Sequence, residues 1–195
     1  MRDGGEAVEA LTVNIHLKQI TISCNIAYGP QESAPMQKKL DFWEYLKEEC
    51  ERAKQEGNGF VLQGDMNSWL GQDIITGDTR KQNQNGNMFA TFVKSNKLTI
   101  VNSLPICKGT TTWSRIKQGV KLSSTLDFFV VCERVLPYVQ EMTIDNEGNH
   151  KITNFKNGEN TTESDHSPMW IKVNLKVAPE KPEVIEVVNF KDEMA

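Results

Sequence analysis

Hydrophobic and polar residues alternate near the start of the chain. Leu11, Val13, Ile15 and Leu17 are separated by Thr12, Asn14 and His16, the period of a half-buried strand. Lys18 and Gln19 read as a turn, and Ile20, Ile22 and Cys24 resume the alternation, so residues 10–28 are expected to form a hairpin. The stretch YGPQESAP (28–35) reads as a loop. The period then changes. Met36, Leu40, Trp43, Leu46, Cys50 and Ala53 recur every three or four residues, one apolar helix face. Ser33 is expected as its N-cap and Pro35 in its first turn, with Gly57 and Gly59 at its end. Residues 60–63 lack alternation and are expected to be a central strand.

Farther along, TGDTRKQNQNGN (76–87) reads as a polar loop. MFATFVKSNK (88–97) reads as a short helix with Met88, Phe89, Phe92 and Val93 inward. LTIVNS (98–103), TTTWSR (110–115) and LDFFVVC (126–132) are expected strands, the last two separated by a basic loop. Residues 145–163 read as the longest loop. Met169, Ile171, Val173, Leu175 and Val177 alternate in a final strand. No internal repeat is visible. Many strands and two helices that do not strictly alternate predict an α+β fold with mixed or antiparallel sheets. The expected organisation is a disordered leader at 1–10, one domain at 11–177, and an acidic tail or linker at 178–195.

The 195 residues suffice for one domain with a core, and 38% hydrophobic with 25% charged residues suits a globular chain. No apolar run approaches the ~20 residues of a membrane span. The N-terminus lacks the apolar segment of a signal peptide, so an intracellular location is expected. Cys24, Cys50, Cys107 and Cys132 are widely spaced and are expected as plain buried thiols in a reducing compartment. A net charge of −4 argues against a general nucleic-acid coat protein. Yet residues 107–125 carry Lys108, Arg115, Lys117 and Lys121 without an acid, a local patch able to meet phosphates.

Candidate chemistry gathers at strand ends. Tyr28 ends the hairpin, Asp65 and Asn67 follow strand 60–63, Asp127 opens strand 126–132, and Asp165 and His166 precede the last strand. Residues distant in sequence converge when rigid strands deliver them to one edge. Hydrolysis of a phosphodiester needs these types: a cation against developing charge, a group to position or deprotonate water, and donors to phosphoryl oxygens. Carboxylate oxygens favour Mg²⁺ over zinc. Each piece also has a plain structural reading. Asp-x-Asn is a common self-bonded turn, SDHSP can be a capped turn, Tyr28 can be packing, and the basic loop can be a solvated surface. Asp127, inside an apolar run, needs a partner if buried, and His166 is the obvious one. His16 and His150 read as solvent-facing.

GDMN (64–67), STLDFFVV (124–131) and SDHSP (164–168), in that order, resemble the endonuclease/exonuclease/phosphatase family. NIAYGPQES, QNGNMFATFVKSNKLTIVNS and TTTW make the resemblance closest to the endonuclease domain of non-LTR (LINE-like) retrotransposons. The resemblance implies an αββα four-layer sandwich and Mg²⁺-dependent nicking of DNA, with Mn²⁺ as an alternative ion. It further implies nuclear DNA as partner, no membrane, and no particular protein partner. It implies that Asp65 orients or activates water, Asn67 holds it, and Tyr28 donates to the phosphate. Asp127 would orient His166 on the scissile phosphate, and Asp165 would organise the metal. Thr112 and Ser164 would support this shell, and Arg115, Lys117 and Lys121 would meet DNA.

The chain also departs from the family pattern. The family's earlier strands, with an active-site Asn and the principal Glu ligand of the metal, have no counterpart; Glu6 and Glu9 do not match the motif. Met66 stands where an aromatic is common. The fold is therefore expected to be incomplete at the N-terminus and the chain a poor nuclease alone. Two other readings stand beside this one: a phosphatase or lipid phosphodiesterase of the same family, and a catalytically dead remnant that binds DNA weakly.

Overall fold

The computed structural model describes residues 8–17, 20–78, 80–147, 153–156 and 159–174. In chain order the elements are β1 (Ala10–His16), β2 (Thr21–Ala27), α1 (Met36–Gln55), β3 (Gly59–Asp65), α2 (Gln84–Ser95) and β4 (Leu98–Ile100). Then come β5 (Cys107–Lys108), β6 (Trp113–Lys117), β7 (Val120–Ser124), β8 (Asp127–Cys132), β9 (Val139–Ile144), β10 (Thr153–Lys156), β11 (Glu159–Glu163) and β12 (Met169–Val173). The result is a mixed α+β fold, as the patterning predicts.

β1 and β2 form the expected antiparallel hairpin. α1 carries the chain over to β3, which lies parallel to β2. β3 pairs antiparallel with β8, and β8 with β4, giving the order β1-β2-β3-β8-β4 with β3 in the middle. A second sheet has the order β12-β9-β5. β8 is buried on both faces, which explains its unbroken apolar sequence. Phe128 and Val130 face α1 and α2, joining Phe42, Trp43, Leu46, Leu62 and Phe89. Phe129 and Val131 face the second sheet, joining Met142, Ile144, Met169 and Ile171. Trp43 stacks on Phe89 at 5.4 Å, and Phe89 meets Phe128 edge-on at 5.0 Å. Among the described residues both α-helices belong to the first of these two cores.

Several local expectations are corrected. The inward face of α1 is Lys39, Phe42, Trp43, Leu46, Glu49, Cys50 and Ala53, while Met36 and Leu40 are 46% and 48% exposed. The face is rotated because two charged side chains are buried with partners. Lys39 Nζ donates to the Glu32 carbonyl at 2.6 Å and to Gln84 Oε1 at 3.1 Å; Glu49 accepts from Thr12 Oγ1 at 3.1 Å and pairs with Arg52 at 2.9 Å. Pro35, not Ser33, stands at the N-cap, with no side-chain cap bond. α2 begins at Gln84 because Asn83 Oδ1 accepts from Gly86 N at 2.7 Å, satisfying a free amide of the first turn. Met88 and Val93 are half-buried, while Phe89 and Phe92 are buried.

The expected strand 98–103 turns into a 3-10 helix at Val101–Ser103. The expected loop 145–163 holds the β10–β11 hairpin, and β5, β7 and β9 are additional strands. β12 ends at Val173; Leu175, Val177, His150, residues 1–7 and the tail lie outside the described residues. Cys50 is buried, the other three cysteines are half-buried, and none forms a disulfide. No helix among the described residues is long and apolar enough to cross a membrane.

Phe89 links α1, α2 and β8. Phe89→Ala is expected to cost about 3–5 kcal/mol of unfolding free energy, read as a lower urea midpoint with an unchanged slope.

Candidate active site

The site starts from a register. Asp65 at the end of β3 pairs directly with Asp127 at the start of β8, which puts two carboxylates opposite each other at one sheet end. Like charges so placed destabilise a sheet. Gly64 makes the corner possible. Its φ is +130°, and a Cβ there would lie 2.1 Å from the Ala27 carbonyl oxygen, so any side chain would push β2 away.

The turn after β3 is tied from several sides. Asp65 Oδ1 accepts from Asn67 N at 2.8 Å, and Asn67 holds a left-handed φ of 45°. Asn67 Nδ2 donates to the Gly29 carbonyl at 2.8 Å, and Gly29 N donates to the Asp65 carbonyl at 2.7 Å. Asn85 adds bonds from Nδ2 to the Pro30 carbonyl at 2.6 Å and the Asn67 carbonyl at 3.1 Å. The Tyr28–Pro30 segment is thus joined to this turn through its backbone. The Tyr28 side chain is 45% exposed and lines the neighbouring groove with Glu9, Pro30 and Lys38.

Asp127 is fixed by two side chains. Thr112, fully buried, accepts from Leu126 N at 2.8 Å and Asp127 N at 3.0 Å through Oγ1. Asn102 donates from Nδ2 to the Asp127 carbonyl at 3.1 Å and accepts from Phe129 N at 2.9 Å. The Asp127 side chain is 16% exposed. The segment before β12 then brings His166 to it. Ser164 Oγ accepts from His166 N at 3.1 Å, Ser167 N donates to the Thr112 carbonyl at 2.7 Å, and Ser114 N donates to the Asp165 carbonyl at 2.8 Å. His166 Nδ1 lies 2.8 Å from Asp127 Oδ2, and Nε2 lies 3.9 Å from Asp65 Oδ2. The carboxylate can only accept, so the proton between Asp127 and His166 sits on Nδ1. Nε2 is left facing Asp65. Asp165, exposed beside this line, accepts from the Trp113 indole Nε1 at 2.9 Å.

The electrostatics follow. Burial pushes the Asp65 carboxyl up to about 6; the Asn67 amide and His166 oppose this, and the Asp127 and Asp165 charges reinforce it. The bond to Asp127 raises His166 above its ordinary value, against the pull of burial. A carboxyl that ionises near neutrality can take a proton from water. An imidazole raised in this way can offer one to a phosphoryl oxygen.

Ligand atoms of Asp65, Asp127 and His166 lie within 4.8 Å of one another. With Nδ1 engaged by Asp127, the free ligand atoms on this side are the carboxylate oxygens and, on neutral His166, Nε2. Oxygen donors on an acid strained by burial and like charge fit a hard, hydrated divalent cation. Arg115, Lys117 and Lys121 lie on the β6–β7 hairpin, closed by a Gln118-Gly119 turn with φ of 52° and 77°, whereas Lys108 lies on β5 and pairs with Glu141. Trp113 at the root of the hairpin is bridged to His166, and Arg115, Lys117 and Lys121 are exposed along it.

Three contributors lie inside segments that carry the family resemblance, but no role was read for them. Trp113, Asn102 and Asn85 act on partners 18 to 55 residues away. An asparagine inside a polar run gives no local hint of such a bond. The tryptophan of TTTW was visible as part of a strand and of the resemblance, but not as a partner of Asp165.

No protein-family model and no curated protein matches the sequence. Solved structures do match. The endonuclease domain of TRAS1, a telomere-specific non-LTR retrotransposon, superposes with a TM-score of 0.57 at 18% identity, covering 86% of this chain and 64% of that one. The 3'-5' exonuclease NExo of Neisseria meningitidis gives 0.58 at 15%, covering 84% and 65%. The 3' phosphatase NExo (D146N) from Neisseria, bound to product DNA hairpin, gives 0.59 at 14%, covering 88% and 66%. The chain thus has the fold of the endonuclease/exonuclease/phosphatase, or deoxyribonuclease I-like, family. It spans a little under two thirds of each of these neighbours.

Two predictions follow the electrostatics. Asp65, raised to about 6 from 3.8, ionises at a cost when folded at pH 7. That cost grows as pH rises from about 4 to about 6 and vanishes where both states are protonated. Asp65→Asn keeps the acceptor for Asn67 N and should stabilise the fold at pH 7 by on the order of 1–3 kcal/mol, with the difference closing toward pH 4. Urea unfolding at the two pH values reads this. For His166 the sign is opposite: the stability of its bond to Asp127 is present below pH 6.5 and lost as pH passes the raised value. Asp127→Ala should move the His166 titration downward in NMR spectra and cost about 1–3 kcal/mol at pH 6.

Proposed function

We propose that this chain is a divalent-metal-dependent phosphodiesterase that nicks DNA, in the manner of a retrotransposon endonuclease. The observation that carries this reading is the line Asp127–His166–Asp65, with 2.8 Å and 3.9 Å between successive side chains. Nε2 and Asp65 Oδ2 lie side by side at 3.9 Å, so a phosphoryl oxygen would meet the histidine and a water the carboxylate from the open side of the pair, not between them. Asp65 takes the proton of that water, held by its bond from Asn67 N. His166, oriented by Asp127, donates Nε2–H to the phosphate; Asn67 borders the same corner, and Tyr28 would reach the phosphate from the neighbouring groove. Asp65 would hold Mg²⁺, or Mn²⁺ in its stead, and Asp165, beside it, would help to organise the ion or its waters. When bound, the ion supplies positive charge against the developing oxyanion. Thr112 and Ser164 hold the shell. The exposed Arg115, Lys117 and Lys121 give sequence-independent phosphate contacts to nuclear DNA.

The four-layer αββα sandwich belongs to the same reading; among the described residues, one helical layer and two sheets pack on the two cores. Among the described residues no glutamate joins the Asp65–Asp127–His166 group. The metal is therefore expected to bind weakly and nicking to need millimolar Mg²⁺.

Plasmid nicking by the full chain tests the reading. EDTA and Asp65→Ala should each abolish it, and Arg115→Ala, Lys117→Ala and Lys121→Ala together should weaken DNA binding. Each lost phosphate contact should lower the salt slope by about one. Release of phosphate from a 3'-phosphorylated oligonucleotide without nicking would favour a phosphatase. DNA binding with neither reaction would favour an inactive remnant.

A further inference from the structure

Arg80 lies in the polar segment between β3 and α2. Its guanidinium carbon sits over the Trp69 ring, 4.5 Å from the centroid, and over the Trp113 ring at 5.7 Å. Both tryptophans belong to the edge of the candidate active site. Trp69 follows Asn67 by two residues, and Trp113 donates its indole N–H to Asp165. The backbone beneath is fixed as well. Arg80 N donates to the buried Asp78 Oδ1 at 3.0 Å, and Trp69 N donates to Asn83 Oδ1 at 3.0 Å. All three side chains are half-buried.

A guanidinium placed over indole rings is gripped through its faces, by cation–π attraction and stacking. Its N–H donors lie in its plane, at the edge and not over the rings. That is the geometry in which arginine takes two oxygens of a phosphate at once, whereas lysine offers a point charge on a flexible stem. The guanidinium covers one face of each indole, so its own polar surface is its edge. The anion-binding edge is what the cluster presents, beside His166.

We propose that Arg80, braced by Trp69 and Trp113, is a phosphate clamp for a flanking nucleotide. It holds the non-bridging oxygens of a phosphate next along the strand from the one at His166. The site would then select a polynucleotide over a lone phosphomonoester. This rests on the phosphodiesterase reading above and names its substrate class.

The test is DNA binding by the full chain in EDTA, so that nothing is cut. A fluorescent duplex is compared with duplexes carrying one neutral methylphosphonate at successive positions. With the unaltered protein, one position should weaken Kd about tenfold. Arg80→Lys should weaken the unmodified duplex by a similar factor and lose sensitivity at that position alone, the signature of a direct pair. The scan of the DNA needs no protein variant, so a poorly folding substitution does not blunt it. Arg80→Lys that binds with the unaltered affinity and the same methylphosphonate profile overturns the proposal, as does a scan without a sensitive position. A chain that nicks DNA without this coupling keeps the phosphodiesterase reading and loses the clamp. Coupling in a chain that hydrolyses nothing keeps the clamp and loses the phosphodiesterase. A chain that binds no duplex at all overturns both.

Discussion

Two carboxylates face each other across the middle of the main sheet, and the surrounding structure depends on how that conflict is managed. Asp65 and Asp127 are register partners on β3 and β8. Direct opposition of like charges costs a sheet up to about 1 kcal/mol, and burial makes the cost at Asp65 larger. His166 answers it from the segment before β12 by bonding Asp127 and facing Asp65. That arrangement requires the segment before β12 to sit against the root of the β6–β7 hairpin. The bonds from Ser167 to Thr112 and from Ser114 to Asp165, with the Trp113–His166 bridge, hold it there. Thr112 is the common point: its hydroxyl fixes Asp127 and its carbonyl fixes Ser167.

The same conflict gives the site its chemistry. An isolated surface aspartate is a weak base at neutral pH. Asp65 is lifted to about 6 because water is excluded and other acids are near. His166 is lifted because Asp127 holds its Nδ1 proton. One environment thus readies a base and an acid a short distance apart, which is the usual route to paired acid–base work. A hard cation would relieve the remaining negative charge.

Much of the fold was legible where burial is two-sided or strictly periodic. The run at 126–132 read as a strand because both its faces are packed, and the acid at its start stood out for the same reason. The alternation at 11–15 and 22–24 gave the hairpin. α1 was found, but with its face misplaced, because buried Lys39 and Glu49 look solvent-facing to any hydrophobic pattern. The start of α2 was missed because Asn83 caps it while also receiving Trp69 N, a bond made across a loop. β5 and β9 depend on pairing with distant strands, so their short stretches carried too little local signal. At the site, the acids and His166 were visible at strand ends and through motif resemblance. Trp113, Asn102 and Asn85 lay in the resembling segments, but their roles were not legible, since what they do is set by partners far away in sequence.

The central claim is the direction of the proton between Asp127 and His166. Two-bond ¹⁵N–¹H spectra of the ¹⁵N-histidine-labelled chain read the tautomer at pH 8. The account predicts neutral His166 with its proton on Nδ1 and a bare Nε2. It predicts that Nε2 gains a proton as pH falls while Nδ1 stays protonated throughout. A neutral His166 protonated on Nε2 would mean that Asp127 does not orient it, and would contradict the account.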